Sequence, residues 1–298
     1  MTGRAPGAVI VLGAGGRIGR ELLPMLAGRG FPVAAITRNH DPGMRGADLS
    51  VIPADVTERP HWPQTFRALS ATVGERRMVV IADLILDRSS VPAMRQSIAA
   101  ASAYTRGLAR LVTDTGGTPR IVAASTTATL APWIYQTPYG LAKRRQADCY
   151  ATTPGVQLVL LPILSAGGAL AGEWAYRDAA HVLAAAIQAA ADDSIPARRL
   201  WAPAGMTSRS DEKADELGIS GIISAHLECV FTRRDDPGAH RRAARGRLWL
   251  TPRPLREKVD HHYAPDRLTT AFAHRTGLMV RHMSMIPGQD EQERTADG

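Results

Sequence analysis

Short apolar runs alternate with amphipathic stretches along the first two thirds of the chain. Residues 8–12 (AVIVL) have no polar face, the pattern of a strand buried on both sides. A glycine turn at 13–19 (GAGGRIG) leads into a helical pattern carried by Ile18, Leu22, Leu23 and Leu26. Pro24 falls in the second turn of that helix, where it weakens a backbone bond or kinks the axis without abolishing the helix. Gly28 and Gly30 end it, and residues 32–36 (PVAAI) read as a second strand. Strands follow at 49–53, 78–82, 120–124 and 156–161, with helices around 62–73 and from 91 to about 113. A helix over 177–191 and a last strand at 199–202 complete the pattern. Such alternation predicts an α/β fold, a doubly wound parallel sheet covered on both faces. Right-handed crossovers then gather the loops after the strands along one edge, where ligands bind.

Beyond residue 203 the periodicity weakens and the charge rises. Two parts are expected: a nucleotide-binding core over 1–203, and a smaller C-terminal substrate-binding region over 204–298. That region would pack on the ligand-binding edge and end in a frayed tail from about Pro287.

Composition narrows the class. With 45% hydrophobic positions the 298-residue chain is no disordered segment. The net charge of +8 comes from 36 basic against 28 acidic residues, and only Lys143, Lys213 and Lys258 are lysines. The other 36 − 3 = 33 basic residues are arginines spread along the chain, with a cluster at Arg233, Arg234, Arg241, Arg242, Arg245 and Arg247. This distribution reads as a solvated surface, not a nucleic-acid face. Cys149 and Cys229 make no disulfide framework and no CxxC pair, which points to a reduced, cytoplasmic setting. The longest apolar stretch, 156–171, is broken by Pro162 and several glycines and falls short of the roughly 20 residues of a membrane helix. The N-terminus lacks the apolar core of a signal peptide. His261 and His262 are adjacent and lack metal-ligand spacing, so no metal site is expected. The expected partner is a small-molecule substrate, with neither nucleic acid nor membrane.

Three groups of residues carry chemistry. Gly13, Gly16 and Gly19 form GxxGxxG between a strand and a helix. Glycines there permit unusual dihedrals, close approach to a pyrophosphate and tight packing of helix on strand, while the helix start at Arg17 and Ile18 offers free N–H groups. At the end of the second strand stand Thr37, Arg38 and Asn39, with no carboxylate for a ribose hydroxyl. Arg38, joined by Arg17, would welcome a 2′-phosphate, which favours NADP(H) over NAD. Tyr139 and Lys143 (YGLAK) lie at i and i+4 on one helix face, where the ammonium lowers the phenol pKa. Upstream, Ser125, Thr126 and Thr127 end a strand, where a hydroxyl can polarise a substrate carbonyl or simply cap the loop.

In this order GAGGRIG, Asp55–Val56, Ser125–Thr126, YGLAK and Leu161–Pro162 resemble the short-chain dehydrogenase/reductase superfamily. The GxxGxxG spacing is similar to its extended or atypical branch, which includes the epimerase/dehydratase relatives. The resemblance covers about residues 8–203 and implies a Rossmann-type core. It implies Tyr139 as general acid/base, Lys143 as partner of the nicotinamide ribose, and Thr126, preferred narrowly over Ser125, as holder of the substrate oxygen. It further implies Asp55 and Val56 at the adenine, Ala82 in the cofactor cleft, Pro162 beside the nicotinamide, and a homodimer. Two departures stand out: Asp83 where small residues are usual, and no asparagine in the long central helix, since Asn39 is the only one in the chain. The implied activity is carbonyl reduction or alcohol oxidation with NADP(H). Alternatives are an epimerase or dehydratase that retains its cofactor, and an NADP-binding regulator without turnover. Trp133, Trp174 and Tyr176 are candidates for an apolar substrate pocket, with His181 at its rim.

Overall fold

The computed structural model describes residues 7–39, 48–73, 77–87, 89–126, 129–130, 138–161, 164–165, 174–192, 197–203 and 265–283. The apolar runs form the strands of one sheet: β1 (Ala8–Leu12), β2 (Val33–Thr37), β3 (Leu49–Pro53), β4 (Met78–Asp83), β5 (Thr118–Thr126), β6 (Val156–Leu161), β9 (Arg199–Pro203) and β10 (Met279–Met283). Between them run α1 (Arg17–Gly28), α2 (Trp62–Val73), α3 (Val91–Asp114), α4 (Pro138–Ala151), α5 (Tyr176–Asp192) and α6 (Pro265–Thr276). Two short strands, β7 (Leu164–Ser165) and β8 (Trp174–Ala175), pair separately.

The eight strands are all parallel, in the order β10-β9-β6-β5-β4-β1-β2-β3. The expected doubly wound α/β architecture is therefore the observed one. Period-two alternation divides the core. Val9, Val11, Val80, Ala82, Val122, Val159 and Trp201 face α1 and α5, whose Leu22, Leu26, Leu183 and Ile187 cover them. Ile10, Leu12, Ile81, Ile121, Leu158 and Leu200 face the opposite layer of α2, α3, α4 and α6. Pro24 sits inside α1, which runs through it.

The sheet reaches past residue 203. Residues 265–283, assigned by sequence to the C-terminal region, supply a core helix and the eighth strand. The strand MVRHM is short and carries Arg281 and His282, as an edge position allows, so it lacks the apolar run that announces a central parallel strand. Phe272 anchors α6. Its ring is 3% exposed and lies 4.6 Å from the Arg144 guanidinium and 5.4 Å from that of Arg275. Arg275 also donates to Asp148 Oδ1 on α4 at 2.6 Å.

Phe272→Ala removes this anchor, and urea denaturation is expected to show a loss of about 3–5 kcal/mol, the range for truncating a buried aromatic. A loss below about 1 kcal/mol would mean that α6 contributes little to the core.

Candidate cofactor and catalytic site

The sheet's winding reverses at β1, whose neighbours β2 and β4 lead to opposite edges, and the crevice beyond these strand ends is the natural ligand position. Gly13 closes β1 with φ +80, and a Cβ there would lie 3.2–3.3 Å from the Leu84 and Ile85 backbone. The Gly13 and Ala14 amides both donate to the Ile36 carbonyl at 3.1 Å, tying the turn to β2. Gly16 is the N-cap of α1, extended, with no side-chain cap and no acidic residue in the first turn, so the positive end of the helix is unopposed. Gly19 presses α1 onto the turn so closely that a Cβ would stand 2.4 Å from the Ala14 carbonyl oxygen. A glycine cradle that side chains would fill, facing an uncapped helix start where Arg17 and Ile18 stand, fits a pyrophosphate.

The end of β2 is solvated and already charge-paired. The Arg38 side chain is 58% exposed, and its Nη1 lies 3.0 Å from Asp87 Oδ2 and 4.0 Å from Asp55 Oδ2. Asp87 accepts from the Ser89 amide at 2.8 Å, and its own amide donates to Ser97 Oγ at 3.0 Å. Hydrogen bonds from Ser89, and then Arg38, hold its carboxyl below the usual range. Asp55 Oδ1 accepts from the Thr57 amide and hydroxyl at 2.8 and 2.7 Å, and Val56 beside it is buried. Thr37 donates its hydroxyl to the Asn39 carbonyl. Arg17 donates instead to the Tyr176 hydroxyl at 2.9 Å, with its guanidinium 5.3 Å from that ring. The two arginines thus engage different partners. Asp87, which the sequence does not single out, is the principal partner of Arg38; an acid from the loop after β4 has no local signal pointing at β2.

The end of β5 and the face of α4 against it are buried. Ser125 and Thr126, at the end of β5, are both buried, and alternation turns them to opposite faces. Ser125 falls in step with Ile121 and Ala123, which face the α4 layer; Thr126 falls in step with Val122 and Ala124, which face α5. Ser125 Oγ has no hydrogen-bond partner. Tyr139 is half-buried in the first turn of α4, and Lys143 one turn later is 3% exposed. Lys143 Nζ donates to the Ala124 carbonyl at 3.0 Å and to Gln146 Oε1 at 2.9 Å.

Gln146 passes the interaction on. Its Nε2 donates to Asp83 Oδ2 at 2.7 Å, and the buried Tyr150 donates its hydroxyl to the same oxygen at 2.8 Å. Asp83 Oδ1 accepts from the Ile85 amide at 3.1 Å. Burial raises the Asp83 carboxyl above its ordinary pKa, opposed by the Lys143 charge and by these hydrogen bonds. Burial likewise lowers the Lys143 amine, with Asp83 opposing. Gln146 and Tyr150 are partners that the sequence does not single out, although their spacing of three and seven from Lys143 sets all three on one face of α4.

Of the remaining expected positions, Ala82 is buried under α1 and α5, and His181 lies partly buried on α5. Trp174 stands in β8. Pro162, Thr127, Trp133, Cys229, His261, His262, the arginine cluster at 233–247 and the tail from Pro287 lie outside the described residues. Among the described residues no group of three or more His, Cys, Asp or Glu is gathered to hold a metal, and no helix is long and apolar enough to cross a membrane.

No protein-family model matches the chain, and no curated protein matches it in sequence. Solved structures do match in fold. The chain is similar to gox2181, at 15% identity over 63% of this chain and 91% of that one, with a TM-score of 0.51. It is also similar to the oxidoreductase ylbE from Lactococcus lactis, at 14% identity, covering 63% and 87%, with a TM-score of 0.49. A third is a short-chain dehydrogenase from Leptospira borgpetersenii with bound NAD+, at 13% identity, covering 59% and 77%, with a TM-score of 0.45. At such identities the likeness is one of fold. What the chain shares with gox2181 is a Rossmann-like parallel sheet with flanking helices.

Three substitutions test this geometry without any ligand. Gly19→Ala forces α1 away from Ala14 and is expected to cost about 1–3 kcal/mol in chemical denaturation. Gly28→Ala, whose Cβ meets nothing within 4 Å, should be neutral within about 0.5 kcal/mol. Tyr150→Phe takes a hydrogen bond from a buried carboxylate, at a cost of about 1.5–3 kcal/mol while Asp83 is ionised. Because that bond favours the ionised form of Asp83, the loss should shrink as pH falls and Asp83 takes up a proton, which a pH series of denaturation midpoints would detect.

Proposed function

We propose that the chain is an NADP(H)-dependent oxidoreductase that reduces a carbonyl of a small organic substrate, or oxidises the corresponding alcohol. The observation that carries this reading is the glycine cradle of α1 at the reversal of the sheet, together with Ser125 and the Tyr139–Lys143 helix at the ends of the neighbouring strands. Gly13, Gly16 and Gly19, with the amides of Arg17 and Ile18, would hold the pyrophosphate. Asp55 and Val56 would flank the adenine, with Thr37 and Arg38 at its ribose, and Ala82 and Pro162 would line the nicotinamide end. A bound nicotinamide supplies the hydride.

The protein's own residues then handle the oxygen. Tyr139 donates a proton to it in reduction and removes one in oxidation. The Lys143 charge one helical turn away lowers the phenol pKa from its ordinary value near 10. Ser125 orients the oxygen, its unpartnered hydroxyl lying on the α4 face of β5. This reverses the narrow preference for Thr126 drawn from spacing.

A nucleotide-binding protein without turnover is the second reading. The specific observation in its favour is that Lys143 spends two of its donors inside the protein.

Arg38 supports NADP(H), because a guanidinium with no acid beside it in β2 can bond a 2′-phosphate bidentately. Asp87 opposes it by occupying the same Nη1. Parallel titrations with NADPH and NADH, followed by nicotinamide fluorescence, are expected to favour NADPH. Arg38→Ala should remove about tenfold of NADPH affinity, and Asp87→Asn should strengthen NADPH several-fold, with NADH little changed in both. Equal affinity for the two nucleotides would remove the NADP preference, and binding of neither would end the redox reading.

A further inference from the structure

Asp83 is the one acidic residue of β4, in a position that apolar neighbours would fill without cost. It is wholly buried, pairing in register with Leu12 on one side and Ala123 on the other. Its side chain follows Val79 and Ile81 toward the α3–α4 layer, where α4 meets it with Gln146 and Tyr150. Lys143 completes the set through Gln146, which accepts from the ammonium with its oxygen and donates to the carboxylate with its nitrogen. An amide can satisfy a cation and an anion at once, and an apolar residue there would leave both charges short of a partner.

Isolated charges inside a protein shed their charge before they accept full desolvation. Lys143 is 3% exposed. Asp83 is the charged group that acts on it from β4. On its own helix the titratable residues of the same face are Tyr139 and Tyr150, while Arg144 turns to Asp148 and Phe272 and Arg145 is exposed. β5 contributes the Ala124 carbonyl and the hydroxyl of Ser125, and α3 contributes Ser102 and Thr105 beside Tyr150, none of which titrates. Among the described residues a counter-charge therefore reaches the amine from Asp83, linked to it by the Gln146 amide.

We propose that Asp83, acting through Gln146, is a positioning residue for the acid/base pair: it holds the Lys143 amine in place and charged, and so sets the pH at which Tyr139 ionises. The proposal rests on Tyr139 and Lys143 being that pair. It accounts for the acid at the end of β4, where the resemblance to the short-chain dehydrogenases leads one to expect small residues. Neither Asp83 nor Gln146 touches substrate in this scheme. Their effect passes through the lysine.

The test is an ultraviolet titration of phenol ionisation in the full chain without ligand. The chain has six tyrosines, so the Tyr139 step is isolated by subtracting the curve of Tyr139→Phe. In the wild type that step is expected below the ordinary phenol range. Asp83→Asn keeps the shape and removes the charge, and should move the step up by about one pH unit, a tenfold loss of phenolate at a given pH. Adding Gln146→Glu to it returns a negative charge next to the amine and should bring the step back most of the way. Gln146→Leu, which cuts the relay but keeps both charges, should move the step upward by less; it carries the test should Asp83→Asn fail to give the wild-type near-ultraviolet circular dichroism.

A Tyr139 step that is present but stays put or moves down in Asp83→Asn overturns the role of Asp83 and leaves the Tyr139–Lys143 reading standing. An upward move that Gln146→Glu does not reverse assigns the effect to repacking and overturns it equally. Should Asp83→Asn not fold, a step unmoved by Gln146→Leu overturns the relay. If Tyr139→Phe removes no low-pH step from the wild type, the acid/base pair itself is the reading that fails, and the proposal falls with it.

Discussion

Burying the Asp83 carboxylate at the end of β4 obliges the neighbouring elements to answer it. Ionised, it costs several kcal/mol to withdraw from water, so each lone pair needs a donor whose geometry is held by something else. The Ile85 amide comes from the chain immediately beyond the strand, and the Tyr150 and Gln146 donors come from α4. Helix α4 can supply them only if it lies across β4 and β5 at one rotation about its axis. That rotation brings Lys143 against the β5 backbone and leaves Tyr139 nearer the open strand ends. The polar network fixes the helix more narrowly than the apolar contacts of Ala147 and Tyr150 could, since apolar surfaces slide and hydrogen bonds do not.

The two ends of the crevice are built on different physics. At the glycine turn the constraint is steric: Gly13 and Gly19 occupy spaces that any side chain would contest with main-chain atoms. At the end of β2 it is electrostatic and partly screened by solvent, with Arg38 shared between Asp87 and Asp55. A steric cradle tolerates little substitution. An exposed cluster of one cation and two anions can be retuned by single charge changes without disturbing the sheet.

Much of this was legible in the order of residues. Parallel strands buried on both faces betray themselves as apolar runs, so β1 and β6 begin and end where the hydrophobic pattern does. Boundaries shift where backbone hydrogen bonding overrules side-chain character. Pro32 cannot donate to the ladder, although its carbonyl accepts from Val9, and β2 starts at Val33. β5 carries on through Ser125 and Thr126 because β6 continues to pair beside it. β10 escaped notice because an edge strand needs no apolar run. The glycine turn and YGLAK are local and could be read directly. The contacts of Asp83 with α4, and of Arg38 with Asp87, join residues distant in sequence, and only the packed sheet discloses them. Alternation along β5, which separates Ser125 from Thr126, becomes decisive only once the helix layers are assigned to faces.

Arginine supplies nearly all the positive charge of this chain, and of its three lysines folding hides Lys143 almost completely. A primary amine reacts with acylating reagents when solvent can reach it, and a guanidinium under the same conditions is left alone. The Lys143 amine is therefore a built-in chemical clock. The rate at which it is labelled in the native state measures how often α4 parts from β4 and β5, and so records the breathing of that layer in a molecule with few other amines to confuse the count.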